Sequence, residues 1–197
     1  GSYYHLDEVR AIRAECDKLD LRLHLDGARF FNALTETEDL PSDHGRLFDT
    51  ISVCFSKGLG APVGSALVGT AADIKQAKRV RKALGGGMRQ AGYLAAACIY
   101  ALEHHIERLT EDHIRARSIG EMAAALPFVR RVYPVRTNII IVELDNRSET
   151  WMLDELKKHG VLAVGFGPGL VRFVTHLDFT DDHLHQLEEV FKQMASA

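Results

Sequence analysis

The sequence lacks the features that mark membrane and secreted proteins. No apolar run approaches the roughly 20 residues that a helix needs to span a bilayer. The first residues, GSYY, form neither a basic nor an apolar segment, so we expect no signal peptide. Cysteine is scarce, and Cys16, Cys54 and Cys98 are odd in number and widely spaced. This pattern predicts reduced thiols in a cytoplasmic protein rather than a disulfide framework.

A strong charge of one sign is also missing. The 24 lysines and arginines nearly balance the 27 acidic residues, which leaves a net charge of −3. We therefore expect neither nucleic acid nor a membrane surface as a partner. A hydrophobic share of 46% and a charged share of 26% are typical of globular proteins. The 197 residues are enough for one large domain or for a domain and a half.

Motifs for metals and nucleotides are absent as well. His104, His105 and His113 have no cysteine partners at the spacing of zinc ligands, so we expect no metal and a solvated helix face. The triple glycine at 85–87 is not followed by the Lys-Ser/Thr pair of a nucleotide-binding loop. Cys54 is most simply a core residue.

The apolar pattern predicts an α/β fold in two blocks. Residues 1–124 alternate strands with helices, which indicates a layer with a mixed, mostly parallel sheet, and residues 125–197 form a small α+β domain. Strands are expected at 21–25, 50–55, 65–68, 138–144, 161–164 and 170–174. Helices are expected at 7–19, 28–34, 72–84, 91–109 and 149–159, and after Thr180. The Ala-rich helix 91–109 should be well buried, with an exposed continuation to about residue 125.

Two residues of the first block fall where open α/β sheets place ligands. Asp26 ends a predicted strand in the string LHLDGAR, and Gly27 follows it. The next strand ends in SKGLGAPVG, so Lys57 emerges at the same edge of the sheet. The glycines of this string permit unusual backbone angles and the close approach of a planar ligand.

An acid and a lysine on neighbouring strand ends suit the chemistry of pyridoxal 5'-phosphate. The lysine amine forms a Schiff base with the cofactor aldehyde. The carboxylate keeps the pyridine nitrogen protonated, and the ring accepts the electrons of a bond broken at the substrate Cα. Taken separately, however, Asp-Gly is usually a turn and Ser-Lys-Gly a solvated loop, so the residues alone leave both interpretations open.

Four longer strings carry a family resemblance. LHLDGARFFNAL, SVCFSKGLGAPVGSALVG, RKALGGGMRQAGYLAAACIYAL and VRFVTHLD, in this order, closely resemble the low-specificity L-threonine aldolases, and the resemblance runs from Tyr3 to about Phe191. It implies pyridoxal phosphate as cofactor and the aspartate-aminotransferase fold (fold type I). It also implies a homo-oligomer, a dimer of dimers with sites shared between subunits, acting on a small β-hydroxy-α-amino acid.

The same resemblance implies roles for individual residues. Lys57 corresponds to the Schiff-base lysine, and Asp26 to the acid at the pyridine nitrogen. Arg29 corresponds to an arginine that lies against the cofactor ring near its phenolic oxygen. Arg172 corresponds to the arginine that grips the substrate carboxylate, a task that suits a planar, bidentate fork.

Other residues have competing interpretations. Lys82 and Arg89 resemble basic residues near the cofactor phosphate, reached across a subunit boundary, but they also fit a solvated basic helix. His24 either orients Asp26, whose strand face it shares, or packs in the core. His176 is a candidate to support Arg172 from nearby in the sequence.

Members of this family are much longer than this chain. Their N-terminal half supplies a histidine that stacks on the ring, a Gly-Ser/Thr pair for the phosphate and a second histidine near the substrate hydroxyl. None has a counterpart here, so we expect a fragment that is inactive alone. The intact enzyme would cleave L-threonine and L-allo-threonine to glycine and acetaldehyde. Another fold-type-I lyase, a folate-dependent hydroxymethyltransferase and a non-catalytic dimerisation module remain alternatives.

Overall fold

The structure, a computed structural model, describes residues 1–196. They divide into two compact units. The N-terminal unit consists of Tyr3–Glu107, and the C-terminal unit consists of the residues from Arg108 onward together with Gly1–Ser2. The helix that follows Arg108 thus groups with the C-terminal strands. The domain boundary at residue 124 stays a prediction. None of the helices in the described residues is long and apolar enough to cross a membrane.

The N-terminal unit contains a mixed three-stranded sheet, as the sequence predicted. Its strands are β1 (His24–Gly27), β2 (Thr50–Cys54) and β3 (Ser65–Gly69), in that order across the sheet. Strand β2 runs parallel to β1 and antiparallel to β3. The helices of this unit are α1 (Leu6–Lys18), α2 (Phe30–Thr37), α3 (Pro41–Gly45), α4 (Ala71–Ala83) and α5 (Gly92–His104).

The two faces of this sheet differ because side chains alternate along each strand. Ile51 and Val53 point to one face, where they form a hydrophobic core with Phe30 and Leu34 of α2. The intervening residues of β1 and β2 are polar and lie on the opposite face, where most are exposed or half-buried. One face of the sheet is therefore structural, and the other is open to a ligand.

Three expectations for this unit were wrong. The first strand begins at His24 rather than at residue 21. The predicted loop 35–46 contains helix α3. Pro41 is the first residue of this helix, a position that suits proline. Helix α5 has a single buried residue, Ala101, and Tyr93 is 91% exposed. Composition identified an apolar helix but could not specify what packs against it.

Ion pairs join α1 and the segment before β1 to the rest of the unit. The Arg13 guanidinium lies 2.9 Å from the Asp49 carboxylate, which also accepts a 2.6 Å hydrogen bond from the Leu23 backbone N–H. The Arg22 guanidinium lies 2.8 Å from Asp73, in the first turn of α4. These contacts tie together segments that are far apart in the sequence.

The Asp73 pair predicts a stability change at acidic pH. The hydrogen bonds from Arg22 and from Thr70 lower the pKa of Asp73 from 3.8 to about 2. A depressed folded-state pKa stabilises the folded protein above pH 3.8, and this contribution is lost as pH falls toward 2. We expect the urea midpoint of the wild type to fall more steeply over this range than that of Asp73→Asn. The exposed Asp20→Asn serves as control and should follow the wild type; parallel curves for all three proteins would contradict the assignment.

The C-terminal unit is an α+β structure with an antiparallel sheet. Its four strands are β4 (Val129–Val132), β5 (Ile139–Leu144), β6 (Val164–Gly167) and β7 (Leu170–Val174). They are arranged in the order β4-β5-β7-β6 across the sheet. The helices are α6 (Leu109–Ala124), α7 (Glu149–Lys158) and α8 (Asp181–Ser196). Strand β4 was not predicted. Strand β6 begins at Val164, which is the last residue of the strand predicted at 161–164.

Helix α6 is largely buried, although its exposure was predicted. Seven of its residues are buried, among them His113, which is completely inaccessible, so the solvated interpretation was wrong for this histidine. Ala116 and Ile119 join the main core together with residues of β5 and α8. Helix α8 starts at the predicted cap, because the His183 backbone N–H donates to the Thr180 hydroxyl at 3.4 Å.

Candidate active site

Lys57 lies in the loop that connects β2 to β3, which we call the lysine loop (residues 55–64). Its base is closed by two hydrogen bonds of 3.0 Å, from the Phe55 N–H to the Gly64 carbonyl and from the Ala61 N–H to the Phe55 carbonyl. Within it, the Gly60 N–H donates to the Lys57 carbonyl at 2.9 Å, and Gly60 has a φ of 71° that favours glycine. The loop thus presents the Lys57 side chain, which is exposed, at the end of β2.

Asp26 lies beside this strand end. Strands β1 and β2 are parallel, and Asp26 is paired with Ser52 in the register. The carboxyl ends of both strands therefore meet at one edge of the sheet, as predicted. The Asp26 Oδ1 accepts a 3.1 Å hydrogen bond from the Ala28 N–H, which fixes the carboxylate in a turn.

Gly27 is required next to this carboxylate. A Cβ atom on Gly27 would lie 2.5 Å from the Ser52 carbonyl oxygen, which belongs to the backbone of the neighbouring strand. We expect Gly27→Ala in the full-length protein to lower the free energy of unfolding by about 1–3 kcal/mol, measured by urea denaturation. Gly45 has no atom within 4 Å of such a Cβ. Gly45→Ala should therefore change stability by less than about 0.5 kcal/mol, and equal losses for both variants would argue against the clash.

Arg29 occupies the turn between β1 and α2. It is the residue immediately before the first helical residue Phe30, and its side chain is half-buried. It therefore lies on the same short segment as Asp26, at the edge of the sheet where Lys57 emerges.

His24 fits neither of its two interpretations. It is exposed, and its Nδ1 lies 2.8 Å from the Thr50 hydroxyl on β2. The histidine is thus not a core residue, and its Nδ1 contacts Thr50 rather than Asp26.

Cys54 is half-buried and lies three residues before Lys57. Burial raises the pKa of its thiol, but hydrogen bonds with Ser56 and Ser65 and the charge of Lys57 lower that pKa below its ordinary value. The Sγ–Oγ distance to Ser56 is 3.5 Å. The sulfur therefore lies in a polar, electropositive environment rather than in the apolar core that we expected.

Lys82 lies on α4 and Arg89 in the segment between α4 and α5, in the same unit as Lys57. Both are exposed, and α4 has no buried residue. The Lys82 stem lies over Gly87, where a Cβ atom would approach the lysine Cδ to 2.8 Å. Gly87 thus makes room for the Lys82 stem, but both residues remain on a solvated basic surface.

Arg172 lies on β7, in the other unit. This strand has a neighbour on each side, so Arg172 is paired with Ile141 and with Val164 in the register. Its guanidinium carbon lies 5.5 Å from the centre of the Phe166 ring. Its Nε is buried and has no hydrogen-bond partner in the part of the chain that the structure describes. An N–H in this state is available to an anionic ligand.

His176, the proposed neighbour of Arg172, makes local contacts. It is exposed, accepts a 3.3 Å hydrogen bond from the Asp178 N–H, and lies 3.9 Å from the Asp178 carboxylate. Residues 1–196 contain no group of three or more His, Cys, Asp or Glu side chains that could hold a metal ion.

Sequence reasoning missed two residues that contact the lysine loop. His105 Nδ1 lies 2.6 Å from the Leu59 carbonyl, and the Cys98 thiol lies 3.6 Å from the Val63 carbonyl. These partners are 46 and 35 residues apart. No local pattern in the sequence connects them, because the contacts depend on how α5 packs against the loop.

The N-terminal unit fits pyridoxal phosphate by its chemistry. The Lys57 ammonium makes no hydrogen bond or ion pair with any described residue, and the Asp26 carboxylate accepts only the Ala28 N–H through Oδ1. An amine and a carboxylate oxygen thus remain uncommitted at one sheet edge. These are the two groups that the cofactor aldehyde and the pyridine nitrogen require.

Comparisons with known proteins agree with this interpretation. A family model described as beta-eliminating lyase matches residues 1–147. The low specificity L-threonine aldolase of Escherichia coli (strain K12) is 41% identical over 170 residues, which are 85% of this chain and 49% of that protein. The low-specificity L-threonine aldolase 1 of Arabidopsis thaliana is 37% identical over 177 residues, 88% of this chain and 49% of that protein. The chain spans about half the length of these curated relatives.

Solved structures support the same conclusion. The threonine aldolase of Leishmania major superposes with a TM-score of 0.82 at 25% identity, over 99% of this chain and 58% of that one. The predicted fold and the resemblance to threonine aldolases are thus confirmed. Since the family model covers 147 of the 197 residues, this chain belongs to the beta-eliminating lyase family.

Proposed function

We propose that the full-length protein containing this chain cleaves small β-hydroxy-α-amino acids, L-threonine and L-allo-threonine, to glycine and an aldehyde, with pyridoxal phosphate as cofactor. The observation that carries the proposal is the placement of Lys57 and Asp26 at neighbouring ends of parallel strands. The relatives at 37% and 41% identity are named as low-specificity L-threonine aldolases, which supports the same reaction.

Residues of the N-terminal unit would hold the cofactor. Bound pyridoxal phosphate supplies a protonated ring that accepts the electrons of a bond broken at the substrate Cα. We assign its attachment to the Lys57 ε-amine and the pairing of its ring nitrogen to the Asp26 carboxylate. Arg29, on the same segment as Asp26, is assigned to the ring. Lys82 and Arg89 are assigned to the phosphate, from a neighbouring subunit, because both are exposed and carry no ion pair within the described residues.

Arg172 would bind the substrate carboxylate. Its Nε is buried without a partner, and a guanidinium binds a carboxylate through two parallel hydrogen bonds. Two bonds fix the direction of the Cα substituents as well as the position of Cα. Arg172 would thereby determine which bond at Cα breaks, because the bond that breaks must stand perpendicular to the electron-accepting ring.

The reaction is balanced by two proton transfers. A base takes the proton of the β-hydroxyl as the Cα–Cβ bond breaks, and the hydroxyl oxygen becomes the carbonyl oxygen of acetaldehyde. Cα then receives a proton, which gives glycine. The chain covers about half of its relatives' length, and we assign the base to the part that it does not cover.

The assembly and location are further parts of the proposal. A site that draws Lys82 and Arg89 from a neighbouring subunit requires at least a dimer, and we propose a homotetramer. The three cysteines are free within the described residues, which supports a cytoplasmic location.

The test is an assay of the full-length protein with pyridoxal phosphate. Acetaldehyde and glycine are measured with L-threonine and L-allo-threonine as substrates, in the presence and absence of tetrahydrofolate. Cleavage without folate supports the aldolase, whereas strict dependence on folate indicates hydroxymethyl transfer. Release of ammonia and a keto acid indicates β-elimination. Absence of a cofactor absorption band would favour a non-catalytic module.

A further inference from the structure

In the lysine loop, Lys57 is exposed, whereas residues that follow it are buried. Leu59 is 2% exposed and Ala61 is 7% exposed. The loop is therefore held by its buried part while its lysine remains accessible. Polar backbone groups that are carried into the interior must find partners there, because an unmade hydrogen bond is costly.

The buried carbonyl of Leu59 finds its partner on α5. His105 follows the last residue of this helix, and its Nδ1 lies 2.6 Å from the Leu59 oxygen. A carbonyl oxygen only accepts, so the Nδ1 atom donates. The histidine is itself fixed, because its backbone N–H donates to the Ala101 carbonyl at 2.9 Å and its ring stands edge-on to Tyr100, with centroids 5.5 Å apart.

A second side chain of α5 contacts the same loop. The Cys98 thiol lies 3.6 Å from the Val63 carbonyl, and its sulfur would be 3.5 Å from a Cβ on Gly64. Cys98 precedes His105 by seven residues, about two helical turns, so His105 leaves the helix on the face that carries Cys98. The neighbouring His104 is exposed and contacts Tyr100 but makes no hydrogen bond to any described residue. The contact with the loop is thus specific to one of two adjacent histidines.

We propose that His105 is a positioning residue for Lys57: its Nδ1–H holds the Leu59 carbonyl and thereby fixes the lysine loop in the conformation that presents the amine to the cofactor. This inference rests on the proposed function of Lys57. The physical reason is that a lysine side chain is a flexible four-carbon stem. Its amine is positioned only if the backbone from which the stem starts is rigid, and pre-positioning of a reacting group is a large part of its effectiveness.

Two measurements on the full-length protein test this role. The first is the affinity of the apoprotein for pyridoxal phosphate, and the second is the hydrogen exchange of the Gly60 and Ala61 amides without cofactor. We expect His105→Leu to weaken the affinity about tenfold, the effect of one lost hydrogen bond of typical strength, and to accelerate the exchange. His105→Asn retains a donor at the position of Nδ1 and should restore both properties. His104→Leu is the matched control and should behave as the wild type.

The outcomes separate this inference from the proposed function. Unchanged affinity and exchange in His105→Leu would overturn it, and so would a defect that His105→Asn does not rescue, since packing of the ring would then be responsible. If His105→Leu does not fold, His105→Gln replaces it. The glutamine amide reaches the position of Nε2 rather than that of Nδ1, so His105→Gln should show the defect that His105→Asn repairs. Equal behaviour of the Asn and Gln variants would overturn the role of Nδ1. Borohydride trapping on the wild type tests Lys57 itself. No label on Lys57 would reject the proposed function, whereas a labelled Lys57 with an unaffected His105→Leu would reject only the positioning role.

Discussion

We expect Lys57→Ala in the full-length protein to lower kcat/KM for L-threonine cleavage by at least about 10³-fold, because removal of a covalent catalytic group typically costs this much or more. The same variant should lose covalent labelling by pyridoxal phosphate and borohydride. The reason is local, since the Lys57 amine is the exposed group at the end of β2 and carries no hydrogen bond or ion pair within the described chain. Steady-state kinetics and peptide mapping of the reduced adduct measure the two effects.

Two further lysine variants serve as controls for this result. Lys75→Ala removes an exposed lysine of α4 and should leave activity and labelling within about twofold of the wild type. Lys57→Arg keeps the positive charge but cannot form the imine, so it should fail as completely as alanine. Full activity of Lys57→Arg would mean that the charge, not the amine, is required, and would refute the attachment of the cofactor at this residue.

The second large effect is expected at Arg172. Arg172→Leu should lower kcat/KM by about 10²–10⁴-fold, because two hydrogen bonds to a charged carboxylate contribute about 1.5–3 kcal/mol each and every 1.4 kcal/mol is tenfold. The cofactor affinity should not change, since Arg172 is assigned to the substrate alone. Arg172→Lys should recover only part of the loss, because an ammonium keeps the charge but lacks the planar fork.

The control for Arg172 lies on the same sheet. Arg131 of β4 is exposed and contacts the ring of Tyr133, so Arg131→Leu should leave kcat/KM within about twofold of the wild type. If Arg172→Leu lost cofactor affinity but bound the substrate normally, Arg172 would be a cofactor-binding residue rather than a substrate-binding one. Equal losses of both affinities, with a lower urea midpoint, would indicate a structural role for the side chain.

The sequence predicted the placement of Asp26 and Lys57 well because that placement follows from local rules. Parallel neighbours present their carboxyl ends at one edge of a sheet, and Asp26 lies at the end of β1 while Lys57 follows the end of β2. Predicting a cofactor required more than these rules, namely the longer strings that resemble the aldolases.

The remaining features depend on packing between distant segments. Helix α5 was expected to be buried because it is rich in alanine, and α6 was expected to be its exposed continuation, yet α6 packs into the core and α5 has one buried residue. The contact of His105 with Leu59 spans 46 residues and leaves no periodic signal. The burial of His113 likewise depends on the packing of α6, which its own residues do not specify.

The pairing of β1 with β2 has a consequence for how the acid and the lysine are aligned. Within the described residues β1 has one neighbour, so its register rests on four residue pairs with β2, from His24 with Thr50 to Gly27 with Val53. Because side chains alternate, a slip of one residue would turn Asp26 toward the core and Leu25 toward solvent. Leu25 is partly buried against the cluster of Ile51 and Val53, and this packing opposes that slip. Apolar packing on one face of the sheet thus determines which charge is available on the other.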